Sequence, residues 1–146
     1  MRELGIISSA EAMDSLVPET SGGILCGPSF AGLAAPWWRP EAGAFVTGMK
    51  LATGKAEILR AVMEGISAQI AHLVSLVGDE LGVQLQSLRV DGGLTNSTKL
   101  MQIQADLLQA PVETYPSAHA TALGAAAAMR LALHPELDVA AGPYAW

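Results

Sequence analysis

An α/β fold with parallel strands is what the second half of the sequence predicts. Between residues 88 and 133, strand-length apolar runs alternate with helix-length periodic segments. Hydrophobic residues make up 51% of the 146 positions and charged residues only 15%, against about 25% in a typical soluble domain. That balance excludes intrinsic disorder, which shows the reverse. The length suits one domain and can bury roughly two thirds of the chain's surface. A chain this apolar is either packed tightly with small residues or covered in part by a partner.

The elements follow in order. Ser8-Ser9-Ala10-Glu11 has the spacing of a capping box, a hydroxyl followed three residues later by a glutamate, and opens a short helix. Pro18 and Gly22-Gly23 end it. Ile24-Leu25-Cys26 is an apolar run between glycines, expected as a buried strand. From Gly27 to Glu41 the chain is a loop rich in Gly and Pro that contains Phe30, Trp37 and Trp38. Two adjacent tryptophans are expected to cover something, because an exposed pair makes a costly apolar patch. Residues 44–49 read as another short strand.

A long helix is expected from about Gly54 to Val77. Ile58, Val62, Ile66, Leu73, Leu76 and Val77 keep close to the 3.6-residue period, and Gly78 and Gly82 bracket its end. Leu88-Arg89-Val90 is a strand and Asp91-Gly92-Gly93 the turn after it. A second helix runs from about Ser97 to Gln109, with Leu100, Ile103, Leu107 and Leu108 as its buried stripe. Pro111 stops it, and Val112 to Tyr115 is the next strand. The last helix, about Ala120 to Leu133, is dominated by alanine, which favours helix and permits close approach to a sheet.

Charge and cysteine narrow the function classes. Eight basic residues against fourteen acidic ones, with no basic run, argue against nucleic acid or an anionic membrane surface as a partner. No stretch of about 18 apolar residues is present, so no membrane span is expected. Cys26 is alone, which excludes an intrachain disulfide and a cysteine metal cluster and points to a reducing, cytoplasmic compartment. No apolar run near Met1 reads as a signal peptide. The common enzyme motifs are absent. Gly54-Lys55 is followed by Ala56, so there is no Walker loop, and neither a dinucleotide glycine motif nor a nucleophile elbow occurs. His72, His119 and His134 are scattered.

The informative stretch is Val90-Asp91-Gly92-Gly93-Leu94-Thr95-Asn96-Ser97. It puts two glycines at the carboxyl end of a strand, just before a helix, where open α/β sheets bind ligands. Glycines let a ligand lie against the backbone without meeting a Cβ. The helix beyond offers free N–H groups and the side chains of Thr95, Asn96 and Ser97. The same residues also suit a plain tight turn with Ser97 as N-cap. Asp91 suits a base, a magnesium ligand or a turn aspartate bonded to its own backbone.

Several stretches carry a family resemblance. Ala44 to Glu64, AFVTGMKLATGKAEILRAVME, is similar to the second signature of the FGGY carbohydrate kinases at every constrained position. Gly32-Leu33-Ala34-Ala35-Pro36-Trp37-Trp38 resembles a segment of the glycerol-kinase branch. Leu88 to Val112 resembles the family's adenosine-binding strand-turn-helix, and Thr121 to Ala126 its last helix. The similarity runs in unbroken order from about residue 24 to 133.

The resemblance implies an actin-like, ribonuclease-H-like domain, the second of two that close over ATP and a polyol. It implies a division of this chain into 1–23 (the end of a preceding helix and a connector), 24–134 (the nucleotide-binding domain) and 135–146 (a tail). Gly92 and Gly93 would lie along the nucleotide and Ser97 near the adenine, while the region from Ala52 to Ala56 would form the other wall of the base pocket. The implied activity is transfer of the ATP γ-phosphate to a hydroxyl of a small polyol or sugar. The catalytic aspartate, the Mg²⁺ ligands and the substrate pocket are expected on a first domain outside this chain. The chain alone is then expected to be inactive and to self-associate through surface meant for the absent part, with the tryptophan pair and the Ile24 strand as the best candidates. The alternative is an actin-like nucleotide-binding module or fragment without kinase activity. Three positions depart from the glycerol-kinase pattern: Ala52 replaces a glycine, Ser97 an asparagine, and His119 a carboxylate. A methyl at Ala52 narrows the base pocket, and Ser97 reaches less far than asparagine.

Overall fold

Helices and short strands alternate along the chain in a computed structural model that describes residues 11–117 and 119–136. The order is α1 (Glu11–Leu16), β1 (Leu25–Gly27), β2 (Phe45–Thr47), α2 (Lys55–Leu81), β3 (Leu88–Val90), a 3₁₀ turn (Gly93–Asn96), α3 (Thr98–Leu108), β4 (Val112–Thr114) and α4 (Ala120–Leu133). Ser8 of the expected capping box lies outside the described residues, as does most of the tail from 135 to 146. β3 and β4 pair in parallel, Leu88 opposite Val112 and Val90 opposite Thr114, as a strand–helix–strand unit requires. β1 and β2 form a separate antiparallel pair, with Leu25 opposite Thr47 and Gly27 opposite Phe45.

The core is built on α2. Leu59 and Met63 pack with Leu100 and Ile103 of α3, and Met13 and Val17 close the cluster from α1 and the residue after it. Met13, Leu16 and Val17 therefore share one core with α2 and α3. Farther along, the Gln104 side chain donates to the Ser67 carbonyl at 3.3 Å. Leu59 and Met63 thus meet Leu100 and Ile103, and Ser67 meets Gln104. Contacts that advance together in sequence mean that the two helices run parallel, so their amino ends lie at the same end of the layer.

Sequence accounts for the limits of α2. The Gly54 amide donates to the Glu57 carboxylate at 3.0 Å, an N-terminal cap of the capping-box kind. Gly78 does not stop the helix, which continues to Leu81 and ends where the Gly82 amide bonds back to the Gly78 carbonyl. Gly65 marks the closest approach of α2 to β1. A Cβ there would collide with the Cys26 carbonyl oxygen and come within 2.9 Å of Pro28 Cδ.

Several expectations change. Ile24 is buried, but β1 starts one residue later, and it is Leu25 that stands exposed. The tryptophans do not cover a core: Trp38 is 73% exposed and Trp37 43%. Leu33 and Arg39 exchange backbone hydrogen bonds of 2.9 and 2.8 Å, which close the loop that carries both indoles. Trp37 does stack on the His72 ring, at 5.2 Å between centroids and 20° between planes. Leu73, Leu76, Val77 and Leu107 are exposed rather than buried. The expectation that no segment has spanning length is also corrected. By length and composition α2 could cross a membrane. Its amino half, however, is the core helix of this domain, and such helices pass the same test.

Gly65 and Gly124 make a matched pair for measurement. Glycine to alanine in a helix interior gains up to about 1 kcal/mol from propensity. At Gly124, where an added Cβ meets nothing within 4 Å, Gly124→Ala is expected to raise the urea midpoint. At Gly65 overpacking, worth about 1–3 kcal/mol, outweighs that gain. Gly65→Ala is expected to lower the midpoint, and an unchanged or raised midpoint would contradict the close helix–strand contact.

Candidate functional site

The strand–turn–helix from Leu88 to Leu108 positions the candidate residues. β3 delivers the chain to Gly92, which adopts φ +102°, a backbone conformation that side-chain-bearing residues rarely tolerate. The Gly92 carbonyl accepts from the Thr95 amide at 3.1 Å and from the Thr95 hydroxyl at 2.7 Å. The Ser97 amide bonds to the Leu94 carbonyl at 3.1 Å. These bonds hold the turn in one shape. Gly92 and Gly93 are both exposed, and a Cβ added at either would meet nothing within 4 Å. The turn thus presents open, side-chain-free backbone on which a flat ligand can lie.

Ser97 is placed differently. It is fully buried, and its hydroxyl donates to Asp14 while accepting from the Leu100 amide at 3.1 Å. The hydroxyl is committed to capping α3. Asp14, on α1, then takes the rest of the helix end. Its carboxylate accepts from the Thr98 amide at 2.8 Å, the Thr98 hydroxyl at 2.7 Å and the Lys99 amide at 3.3 Å. The Met101 amide is bonded to the Ser97 carbonyl. The expectation of free N–H groups at this helix end is overturned, because all four amides from Thr98 to Met101 have acceptors. A carboxylate already sits where an anion would bind.

Burial pushes the Asp14 carboxyl up. The hydrogen bonds from Ser97, Thr98 and Lys99 together outweigh that and hold it below the usual carboxylate range. Lys99 is tied nearby, its ammonium donating to the Val17 carbonyl and lying 3.9 Å from Glu19. Asp14 was not among the candidates read from the sequence. It lies 83 positions from Ser97, and no local spacing links them.

Ala52 and Ala56 flank the start of α2. Ala52 is exposed in a turn closed by the Thr53 amide on the Lys50 carbonyl and by the Lys50 amide on the Thr53 hydroxyl, each 2.9 Å. Ala56 is half-buried in the first turn of the helix. Because α2 and α3 run parallel, these alanines and the Gly92–Gly93 turn lie at the same end of the helix layer. Among the described residues, no group of three or more His, Cys, Asp or Glu could hold a metal ion. A separate cavity of about 340 Å³ lies between β1, α2 and α3, with Cys26, Arg60, Glu64 and Asp106 in its wall. None of the predicted site residues lines it, and burial pushes the Cys26 thiol up, away from reactivity.

Comparison with known proteins gives a consistent picture. The FGGY family of carbohydrate kinases, C-terminal domain, matches residues 4–133. A glycerol kinase of Alkalilimnicola ehrlichii is 42% identical over 127 residues, covering 85% of this chain and 26% of that protein. Glycerol kinase 2 of Streptomyces avermitilis is 41% identical over 132 residues, covering 89% of this chain and 26% of that protein. Among solved structures, Plasmodium falciparum glycerol kinase with ADP superposes with a TM-score of 0.76 at 31% identity, over 93% of this chain and 28% of that one. Xylulose kinase from Rhodospirillum rubrum gives 0.61 at 29% identity, over 88% and 25%. The fold is thus the actin-like, ribonuclease-H-like α/β type of these sugar kinases. The chain spans about a quarter of the length of the curated relatives it matches.

The Asp14 cap makes stability depend on pH. A carboxyl whose folded pKa lies below its unfolded value near about 4 stabilises the fold above that value, and loses the contribution as pH falls through the lower folded pKa. Between about pH 5 and about pH 2 the wild-type melting temperature is expected to fall more steeply than that of Asp14→Asn, which starts lower. Parallel curves for the two proteins in a thermal melt series would contradict the cap.

Proposed function

The chain belongs to the FGGY family of carbohydrate kinases, and we propose that it is the C-terminal, ATP-binding part of a glycerol kinase-like enzyme. The whole enzyme transfers the ATP γ-phosphate to a hydroxyl of a small polyol or sugar. The observation that carries this reading is the open Gly92–Gly93 backbone at the carboxyl end of β3 in a chain of this family. A nucleotide base is flat, and base and ribose together are uncharged. Exposed glycine backbone suits them, and the absence of side chains permits van der Waals approach.

Each of the named residues has a place in the reading. Gly92 and Gly93 would lie along the adenosine half of ATP. The exposed methyl of Ala52 and the first turn of α2 at Ala56 would wall the base pocket from the neighbouring helix. Ser97 would act from behind, through its buried cap on α3, and not by a direct contact with adenine. The chain's contribution is proximity and orientation, which can supply a large part of a rate enhancement without any proton transfer. Bound ATP supplies the phosphoryl group, and Mg²⁺ offsets charge developing on it. Among the described residues no group of three or more His, Cys, Asp or Glu could hold a metal ion, and the Mg²⁺ ligands are assigned to the rest of the enzyme. The general base that takes the substrate proton is assigned there too. Placement in the cytoplasm rests on Cys26, a single half-buried thiol.

The exposed apolar side chains belong to the same reading. Leu25, Phe30, Trp38 and Phe45 stand on or near the β1–β2 pair, each more than half exposed. Such a surface is suited to another part of a larger kinase, and in the chain alone it supports homo-oligomer formation.

The purified chain is expected to show no turnover with ATP and glycerol, xylulose or gluconate in a coupled ADP-release assay. In heteronuclear NMR, ADP is expected to shift the Gly92 and Gly93 amides with weak affinity. Turnover above background would overturn the division of labour. Submicromolar ADP affinity would show that the phosphate grip is not elsewhere. Sedimentation at high protein concentration is expected to show self-association, and a single monomeric species would remove the exposed strand pair as a contact surface.

A further inference from the structure

We infer that the cavity between β1, α2 and α3 is a binding site for a small organic cation, an apolar body carrying one ammonium group, and that Asp106 holds its charge. The site is separate from the glycine turn and does not rest on the nucleotide reading.

The cavity arises from small residues. Ala61, Gly65 and Ala68 share one face of α2, four and three residues apart, and leave room that larger side chains would fill. At Gly65 the helix meets β1 directly, since a Cβ there would strike the Cys26 carbonyl oxygen. That contact fixes one wall. α3 supplies another, with Ile103, Asp106 and Leu107. The volume of about 340 Å³ falls in the range of ligand pockets, about 300–1,000 Å³, close to its lower bound. Most of the lining residues are apolar, and the few polar groups among them are placed to orient what enters.

Those polar groups decide the charge of the occupant. Three ionised side chains line the cavity: Arg60, Glu64 and Asp106. The Arg60 guanidinium is committed, with Nε donating to the Glu64 carboxylate at 2.6 Å and Nη1 to the Pro18 carbonyl at 3.5 Å. Asp106 lies on the other helix. Its carboxylate accepts from the Gln102 side-chain amide at 2.8 Å, and among the described residues no ion pair answers its charge. The Cys26 thiol, pushed up by burial, stays neutral and adds no charge to the wall. Two carboxylates against one guanidinium therefore leave a single negative charge in excess, on the α3 side. An anion would be repelled there, and a neutral apolar molecule would leave Asp106 unanswered. A cation with an apolar body meets both the lining and the charge.

The test titrates the full chain at neutral pH with benzylamine, and with benzyl alcohol and benzoate as neutral and anionic counterparts. Heteronuclear NMR follows the Cys26, Gly65 and Asp106 amides. Benzylamine is expected to shift them with a Kd of about 1 mM, the alcohol to bind about threefold more weakly, and benzoate to cause no shift. The Gly92 and Gly93 amides are expected to stay unmoved, which separates this site from the nucleotide surface. Asp106 is exposed, and in Asp106→Asn the remaining carbonyl can still accept from Gln102. In that variant benzylamine is expected to fall to the affinity of the alcohol. Ala68 is also exposed, and Ala68→Phe is expected to fill the cavity and abolish binding of both. A lysine side chain presented by a protein shares the ligand's chemistry, so acetyl-alanyl-lysyl-alaninamide is a further probe, expected to bind more weakly than benzylamine because its backbone exceeds the space. No shift at about 10 mM benzylamine, an alcohol that binds as tightly, an unchanged preference in Asp106→Asn or binding retained in Ala68→Phe overturns the inference. Tighter binding of the peptide overturns it as well, in favour of a lysine from a partner protein.

Discussion

Everything in this structure hangs on the packing of the amino half of α2 against α3. Leu59 and Met63 on one helix meet Leu100 and Ile103 on the other, and each is almost wholly removed from water. Burying such side chains contributes about 1.5–3 kcal/mol apiece. The core is small, so few contacts decide where the remaining elements lie. With the two helices parallel, β3 and β4 lie at the ends of a strand–helix–strand unit, and the glycine turn emerges beside the start of α2. The close approach of β1 at Gly65 depends on the same helix, because only there does α2 lack a side chain facing the strand.

From that packing follows the character of the site. A turn of two exposed glycines precedes a helix end with no donor to spare. Backbone without side chains favours a flat, uncharged surface, and a carboxylate at a helix end disfavours an anion. The two features act in the same direction. They place an open backbone surface beside a closed helix end at one end of the α2–α3 layer.

Apolar surface is the other consequence. A chain with 51% hydrophobic residues and so small a core must expose many of them. They cluster on the β1–β2 pair, on the Trp37–Trp38 loop and along the carboxyl half of α2. The chain covers about a quarter of the length of its relatives, and surfaces of this kind are consistent with contacts made in a longer protein.

Much of this was legible in the sequence. Periodicity located α2 and α3, alanine content located α4, and the ordered motifs from Gly32 to Ala126 identified the family, because local pattern and short-range spacing are carried by neighbouring residues. The long-range facts were not legible. Nothing near Ser97 announces that Asp14, far along the chain, takes the amides of its helix, so an apparently open helix end proves closed. Nothing near Trp38 says that it stands exposed on the loop closed by Leu33 and Arg39. Sequence alone determined the fold class, the family and the glycine turn. Only the tertiary structure decided which of that turn's donors remain open, because hydrogen bonds across 83 positions exist only once α1 has packed onto α3.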